Sequence, residues 1–306
     1  MNRRKAISSI ALLSSTPLFS KACTSSKENI KGEFRFCLNT STISGQNPGL
    51  LKYMEIASQA GYDGIEVWVR DVKAHLELGN SLESLKKHID DLGIAVENAI
   101  GFAPWISGGQ EGMRQMKEEM ELLASIGCKR IAAPPAGVPS DKPLDFFMAG
   151  EKYAEILELG RQTGVMPQLE FWGASPVMWH MGQALMVAAA ANDPDVRLLP
   201  DVYHMFRGGS GFDTLKMLNG RMIEIFHMND FVGSKPREEQ NDADRVYPGD
   251  GVAPLHEILT DLKNMGGVKV LSIELFNRGY WNEDPLQVAK TGINKLQSLV
   301  NNVINS

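Results

Sequence analysis

Residues 59–67 read QAGYDGIEV, residues 90–98 DDLGIAVEN and residues 124–132 ASIGCKRIA. Each is the end of an amphipathic stretch, then a glycine, then an apolar run with β-branched residues. Glycine directly after a helical pattern marks a helix C-terminus, because it takes φ > 0 without a steric cost. The repeated grammar predicts helix–strand units in series. Strands separated by helices pair in parallel.

Reading outward from these three places gives eight strand candidates. They are FRFCL (34–38), GIEVWV (64–69), IAVENAI (94–100), KRIAAP (129–134), VMPQLEF (165–171), VRLLPD (196–201), MIEIFHM (222–228) and VKVLSIELF (268–276). Between them, LLKYMEIASQAG (50–61), SLESLKKHIDDLG (81–93) and MRQMKEEMELLASIG (113–127) repeat apolar residues every three or four positions, as helices packed on one face do. Eight units of roughly 30 residues suit an α/β fold of the (β/α)8 TIM-barrel class, about 250 residues long. A doubly wound sheet is the weaker alternative, since no G-x-G-x-x-G opens the first helix.

The chain has 306 residues, 43% hydrophobic and 22% charged. The first 22 carry Arg3, Arg4, Lys5 and Lys21 and no acid, so the net charge of −6 leaves −10 for the rest. An acidic body argues against nucleic acid or an anionic membrane surface as a partner. Residues 1–22 have the basic start, apolar middle and small-x-small end of an export signal, and the Arg3-Arg4 pair resembles a twin-arginine signal. Residues 23–33 read as a flexible linker, and 34–306 as one catalytic barrel domain. The expected location is therefore the periplasm, with a membrane-anchored lipoprotein as the alternative if Cys23, directly after Ala22, is lipidated. Lys21 sits awkwardly in such a lipidation motif. Cys23, Cys37 and Cys128 form no CxxC pair and no disulfide framework. A homo-oligomer is compatible with the sequence.

In a TIM barrel the active face lies at the C-terminal strand ends. Alternation in the last strand sends Leu271, Ile273 and Leu275 toward the helices and Ser272 and Glu274 inward. An ionised Glu274 in such apolar company costs several kcal/mol unless a partner offsets its lost hydration. The same logic puts His227, Asp201 and Glu170 at the ends of the three preceding strands. Three carboxylates converging on one mouth repel one another, and one imidazole cannot neutralise them. A divalent cation can. Three oxygens and one nitrogen suit Mn2+ foremost, then Mg2+, Co2+ or Zn2+.

Other residues point to the same mouth. His204 follows Asp201 by three in DVYHM. Glu66 faces inward beside Trp68 as a candidate substrate contact, with a core ion pair as the alternative. Trp68, Trp105, Phe171, Trp172 and Phe276 could wall a sugar-sized pocket. The polar segment NDFVGSKPREEQNDADRVYPGDGVAP (229–254) is far longer than an ordinary connection and reads as a lid or binding element offering Arg245.

LEF around Glu170, DVYH, HMND, DRVYPGDG and LSIELF occur in the order found in the xylose-isomerase-like TIM-barrel superfamily of sugar isomerases and epimerases. Within it the chain looks most like the 2-keto-myo-inositol (inosose) isomerases, over nearly all of the mature sequence. The resemblance implies one divalent ion held by Glu170, Asp201, His227 and Glu274, with His204 and Arg245 touching substrate. It implies a small-molecule partner, a keto-sugar or keto-inositol. The expected reaction is isomerisation or epimerisation by proton abstraction next to the carbonyl, through an enediolate that the ion stabilises, with Glu170 and Glu274 as base and acid. An export signal departs from the cytoplasmic inosose isomerases and makes a phosphorylated substrate unsuited. It brings forward an exported 3-keto-glycoside lyase or hydratase with the same metal site. A non-catalytic sugar-binding barrel would need neither carboxylate, and a barrel glycosidase would leave Asp201 and His227 unexplained.

Overall fold

A computed structural model describes residues 33–306. The export signal, Cys23 and all of the linker but its last residue lie outside the described residues. Ten strands and nine α-helices follow among the described residues. The strands are β1 Glu33–Asn39, β2 Gly64–Trp68, β3 Ala95–Ile100, β4 Arg130–Ala133, β5 Met166–Glu170, β6 Leu198–Leu199, β7 Ile225–Met228, β8 Asp230–Phe231, β9 Arg245–Val246 and β10 Val268–Ile273. The helices are α1 Leu50–Ala60, α2 Val69–Glu77, α3 Leu82–Leu92, α4 Gly109–Ser125, α5 Phe146–Thr163, α6 Met181–Ala191, α7 Val202–Arg207, α8 Leu255–Asn264 and α9 Pro285–Asn305.

The glycines that opened the reading do what their position requires. Gly61, Gly93 and Gly127 have φ of 91°, 66° and 82°, where any Cβ would be strained. At the other end of α3, the Ser81 hydroxyl accepts from Ser84 N at 3.1 Å, a cap worth about 1 kcal/mol.

β1–β7 and β10 are the eight staves. Parallel ladders run in the order β3-β2-β1-β10-β7 and, separately, β4-β5-β6. Parallel bridges Leu198↔Ile223 and Asp201↔His227 join β6 to β7, and β3 packs against β4. β6 is shorter than the expected 196–201 because Pro200 has no N–H to continue a ladder. Its carbonyl still accepts from His227 N at 2.9 Å, and this fixes Asp201 beside His227. β7 likewise starts only at Ile225, its expected first residue ending a 3-10 turn, Gly220–Met222.

Cys37, Ile100, Ala132, Leu199, Ile225 and Val270 meet inside the barrel, one inward residue from each of six staves, with Trp68 against them. This layer makes the barrel a packed core rather than a pore. Below it, Arg35 and Arg130 pair with Glu97, and Arg130 and Arg197 with Glu224. Everything reactive is left to the other end. No helix among the described residues is long and apolar enough to cross a membrane.

Candidate metal and catalytic centre

Asp201, His227 and Glu274 each bring one ligand atom to within 4.8 Å of the others, and all three are buried. Their positions follow from the staves. Asp201 and His227 are bridged as neighbours, and Glu274 N donates to Met228 O at 3.2 Å just beyond the β10 ladder. His227 Nε2 lies 3.0 Å from Glu66 Oε1, which fixes the proton on Nε2 if the imidazole is neutral. Nδ1 then faces Glu274 Oε2 at 3.2 Å and Asp201 Oδ2 at 3.7 Å, buried and without a hydrogen-bond partner. A lone pair aimed at two carboxylate oxygens needs a proton or a cation between them. One nitrogen and two carboxylates, with the opposite ring nitrogen held by a third, is the donor chemistry of a divalent metal site. These residues fit one.

The surroundings push the titrations apart. Burial works against charge on His227, but Glu274 and Glu66 outweigh it and raise its pKa well above the usual imidazole range. Burial also opposes ionisation of Glu274; His227 and Arg245 overcome it and hold that carboxyl below its ordinary value. Glu170 goes the other way. Burial pushes its pKa up to about 8, Glu274, Glu66 and Asp201 adding to the effect against His227. Glu170 ends β5 and borders the same cavity, but it does not share the close spacing of the other three donors.

The candidate substrate residues divide. Glu66, read as a substrate contact, is wholly buried and absent from the cavity wall. A carboxylate there must satisfy its oxygens inside the protein, and four groups do so: Asn39 Nδ2 at 2.8 Å, Asn98 Nδ2 at 2.7 Å, Ser272 Oγ at 2.6 Å and His227 Nε2. It supports the site from beneath. His204 borders the cavity, its Nδ1 accepting from Gly173 N at 3.2 Å. Burial lowers its pKa against the pull of Asp201, with Arg245 reinforcing the shift, so the ring is neutral near pH 7.

Arg245 also borders the cavity and does more than face substrate. Its Nη1 donates to Asp201 Oδ2 at 3.0 Å and Glu274 Oε2 at 2.8 Å, and Nη2 to Asp242 Oδ1 at 2.6 Å. Its guanidinium lies between Tyr203 and Phe276, 4.7 and 5.1 Å from their ring centres. The long loop places it there: Asp230 accepts from Gly249, Gly251 and Ala253 N at 3.1, 3.0 and 2.8 Å, and β8 and β9 form a short antiparallel pair. Arg237 remains outside, paired with Glu238.

The cavity has a volume of about 540 Å3. Trp68, Trp172 and Phe276 line it as expected from their strand ends, whereas Trp105 and Phe171 are core. Trp105 turns away because its indole N–H donates to Pro134 O at 2.8 Å. Sequence reasoning missed Phe102, Tyr203 and Asp242 on the wall, and Asn39 and Asn229 behind it. Asn229 Nδ2 donates to Asp201 Oδ2 at 2.9 Å and Asn39 Nδ2 to Glu274 Oε1 at 3.1 Å. Both asparagines lie at or just past strand ends, the signal that could have found them.

The profile of the family described as xylose isomerase-like TIM barrel matches residues 54–299. An inosose isomerase of Bacillus licheniformis is 28% identical over 84% of this chain and 95% of its own length. A 3-dehydro-D-guloside 4-epimerase of Escherichia coli K12 is 23% identical over 70% of this chain and 82% of its own. Among solved structures, the IolI protein with a bound zinc superposes with a TM-score of 0.81 at 24% identity, covering 88% of this chain and 99% of its own.

Proposed function

The chain belongs to the xylose isomerase-like TIM-barrel family, and from that premise we propose that it is a sugar or inositol isomerase or epimerase acting on a non-phosphorylated keto-sugar or keto-inositol. The observation that carries this reading is the geometry of one cavity, bordered by Glu170 and Glu274 beside the buried Asp201–His227–Glu274 cluster, with burial raising the pKa of Glu170 while His227 and Arg245 lower that of Glu274. Two carboxyls driven apart in this way supply an acid and a base at one pH. Relatives named inosose isomerase and 3-dehydro-D-guloside 4-epimerase support a polyhydroxylated ketone as substrate.

A divalent cation on Asp201, His227 and Glu274, with Glu170 beside that set, would stabilise negative charge on substrate oxygens as a Lewis acid; Mn2+ is our first choice, and the zinc of the IolI protein supports the class of ion. The residues of this chain do the rest. Glu274 takes the proton from the carbon beside the carbonyl, and Glu170 returns one. General acid–base work of this kind contributes about 10²–10⁴-fold. His204, whose Nδ1 already accepts from Gly173 N, donates from Nε2 to a substrate oxygen, and Arg245 orders the carboxylates. Among the described residues Arg245 is the only lysine or arginine on the cavity wall, and three carboxylates already engage it. That disfavours a phosphate group and agrees with a periplasmic location, which we propose from residues 1–22.

The test is deuterium exchange. The protein with Mn2+ should incorporate solvent deuterium beside the ketone of an inosose or a 3-keto-glucoside, followed by NMR, and Glu274→Gln should not. Failure of every keto-sugar to exchange, or undiminished exchange in the variant, would overturn the reading. If β-leaving groups are expelled as well, the same proton abstraction serves a 3-keto-glycoside lyase.

A further inference from the structure

The cavity has two halves of different chemistry. Its floor is polar: Glu170, His204, Asp242, Arg245 and Glu274. Its outer wall is apolar and built around four aromatic rings in sequence. Phe276 lies 6.4 Å from Trp68, Trp68 5.4 Å from Phe102, and Phe102 6.1 Å from Trp172, centre to centre, at interplanar angles of 54–73°. Phe276 meets Trp68 edge to face and the other two pairs are tilted, so none of these rings is covered by stacking on its neighbour in the series. Phe102 is 42% exposed. A large apolar ring held open to solvent at a cavity mouth, in contact with two tryptophans that also line it, is a surface waiting for an apolar partner.

Size points the same way. About 540 Å3 falls in the range that encloses drug-sized ligands, roughly 300–1,000 Å3. The dozen heavy atoms of an inosose or keto-hexose occupy the polar floor and leave the aromatic half empty. That half does not suit a second sugar. Beyond the floor the wall offers two side-chain hydroxyls among the described residues, that of Tyr203 and that of Ser175, and the latter already accepts from Val177 N and Met178 N at 3.2 Å. Most hydroxyls of a second ring would be desolvated there without partners, which is costly.

We propose that the preferred substrate is a keto-glycoside carrying an aromatic aglycone, with the keto-sugar on the carboxylate floor and the aglycone stacked on Phe102 between Trp68 and Trp172. This rests on the keto-sugar reading of the same site and adds the aglycone subsite to it.

Binding separates the two claims. Calorimetric titration of the Mn2+-loaded protein would compare phenyl 3-keto-β-glucoside, methyl 3-keto-β-glucoside and a 3-keto-disaccharide. The phenyl compound should bind at least about tenfold more tightly than either other. Phe102→Ala should bring the phenyl-to-methyl ratio toward one, and Phe102→Tyr, which keeps a ring face, should preserve it. Phe102 is half outside the fold, so the alanine variant opens no core cavity. Equal affinity for phenyl and methyl glycosides, or a ratio untouched by Phe102→Ala, overturns the aglycone subsite and leaves the keto-sugar reading standing. Equal or tighter binding of the disaccharide makes the outer half a second sugar site and overturns the proposal too. Binding of none of the three removes the keto-sugar reading and the subsite with it.

Discussion

Glu66 Oε1 and His227 Nε2 lie 3.0 Å apart, and neither side chain has any exposure to solvent. Three further donors hold that carboxylate from Asn39, Asn98 and Ser272, so the imidazole is oriented by a group that is itself immobile. Such partners typically govern metal affinity about 10–100-fold. Glu66→Ala should therefore weaken Mn2+ or Zn2+ binding by that factor, read as the metal Kd of the purified protein. Glu66→Gln retains an acceptor for Nε2–H and should lose less. Wild-type metal affinity in Glu66→Ala would show that His227 needs no such support.

Asp230 makes the second prediction. Its buried carboxylate accepts from two backbone N–H groups of the PGDG turn, Gly249 and Gly251, and from that of Ala253 just after it. Asp230→Ala leaves those donors without partners, and bonds to a charged group are worth about 1.5–3 kcal/mol each. The loop carrying Arg245 should open locally. Hydrogen exchange over residues 245–254 should rise by at least tenfold while α4 and α5 stay protected, and KM should rise more than kcat falls. Uniformly faster exchange throughout the barrel would mean that Asp230 holds the fold rather than the loop.

Acidity supplies the third. Burial raises the folded pKa of Glu170 from 4.5 to about 8, and the flanking carboxylates raise that of His227. A group whose folded pKa is raised contributes stability below its unfolded pKa and loses it as pH climbs through the folded value. Metal-free protein should accordingly lose Tm between about pH 5 and pH 8, by several degrees. Glu274, shifted downward, works only at the acid end, where stability falls as it protonates. Glu170→Gln should flatten the alkaline decline. Saturating Mn2+ should also flatten it, because the cation replaces the protons that the carboxylates and imidazole otherwise need. An unchanged decline in Glu170→Gln would assign the effect to other groups.

The barrel was legible because its signals are local. A glycine at the end of an apolar period and a run of alternating residues need no knowledge of distant partners, and Gly61, Gly93 and Gly127 carry the expected positive φ. Strand alternation also turned Ser272, Glu274 and His227 inward as read. What sequence could not give was the fate of each inward group. Glu66 and Glu274 look alike on their strands, yet Glu66 meets partners 27, 32, 161 and 206 residues away and is sealed beneath the site. Arg245 looked like a substrate contact on a loose loop. Its ion pairs with Asp201 and Glu274 depend on Asp230 folding that loop back over the mouth. Pairings across the barrel exist only once it has closed.

Trp105 and Trp172 separate those two kinds of information by experiment. Both follow strand ends and either could wall a pocket, but Trp105 is completely buried in the core with its N–H on Pro134 O, while Trp172 borders the cavity. Trp105→Ala removes a packed indole and orphans a buried carbonyl. It should cost about 3–5 kcal/mol of stability, read by denaturant unfolding. Trp172→Ala opens no core void and should shift stability by less than about 1.5 kcal/mol while raising KM for keto-sugar substrates. Equal destabilisation by the two variants would place Trp172 in the core as well, and with it would go the distinction between the aromatic wall and the packing behind it.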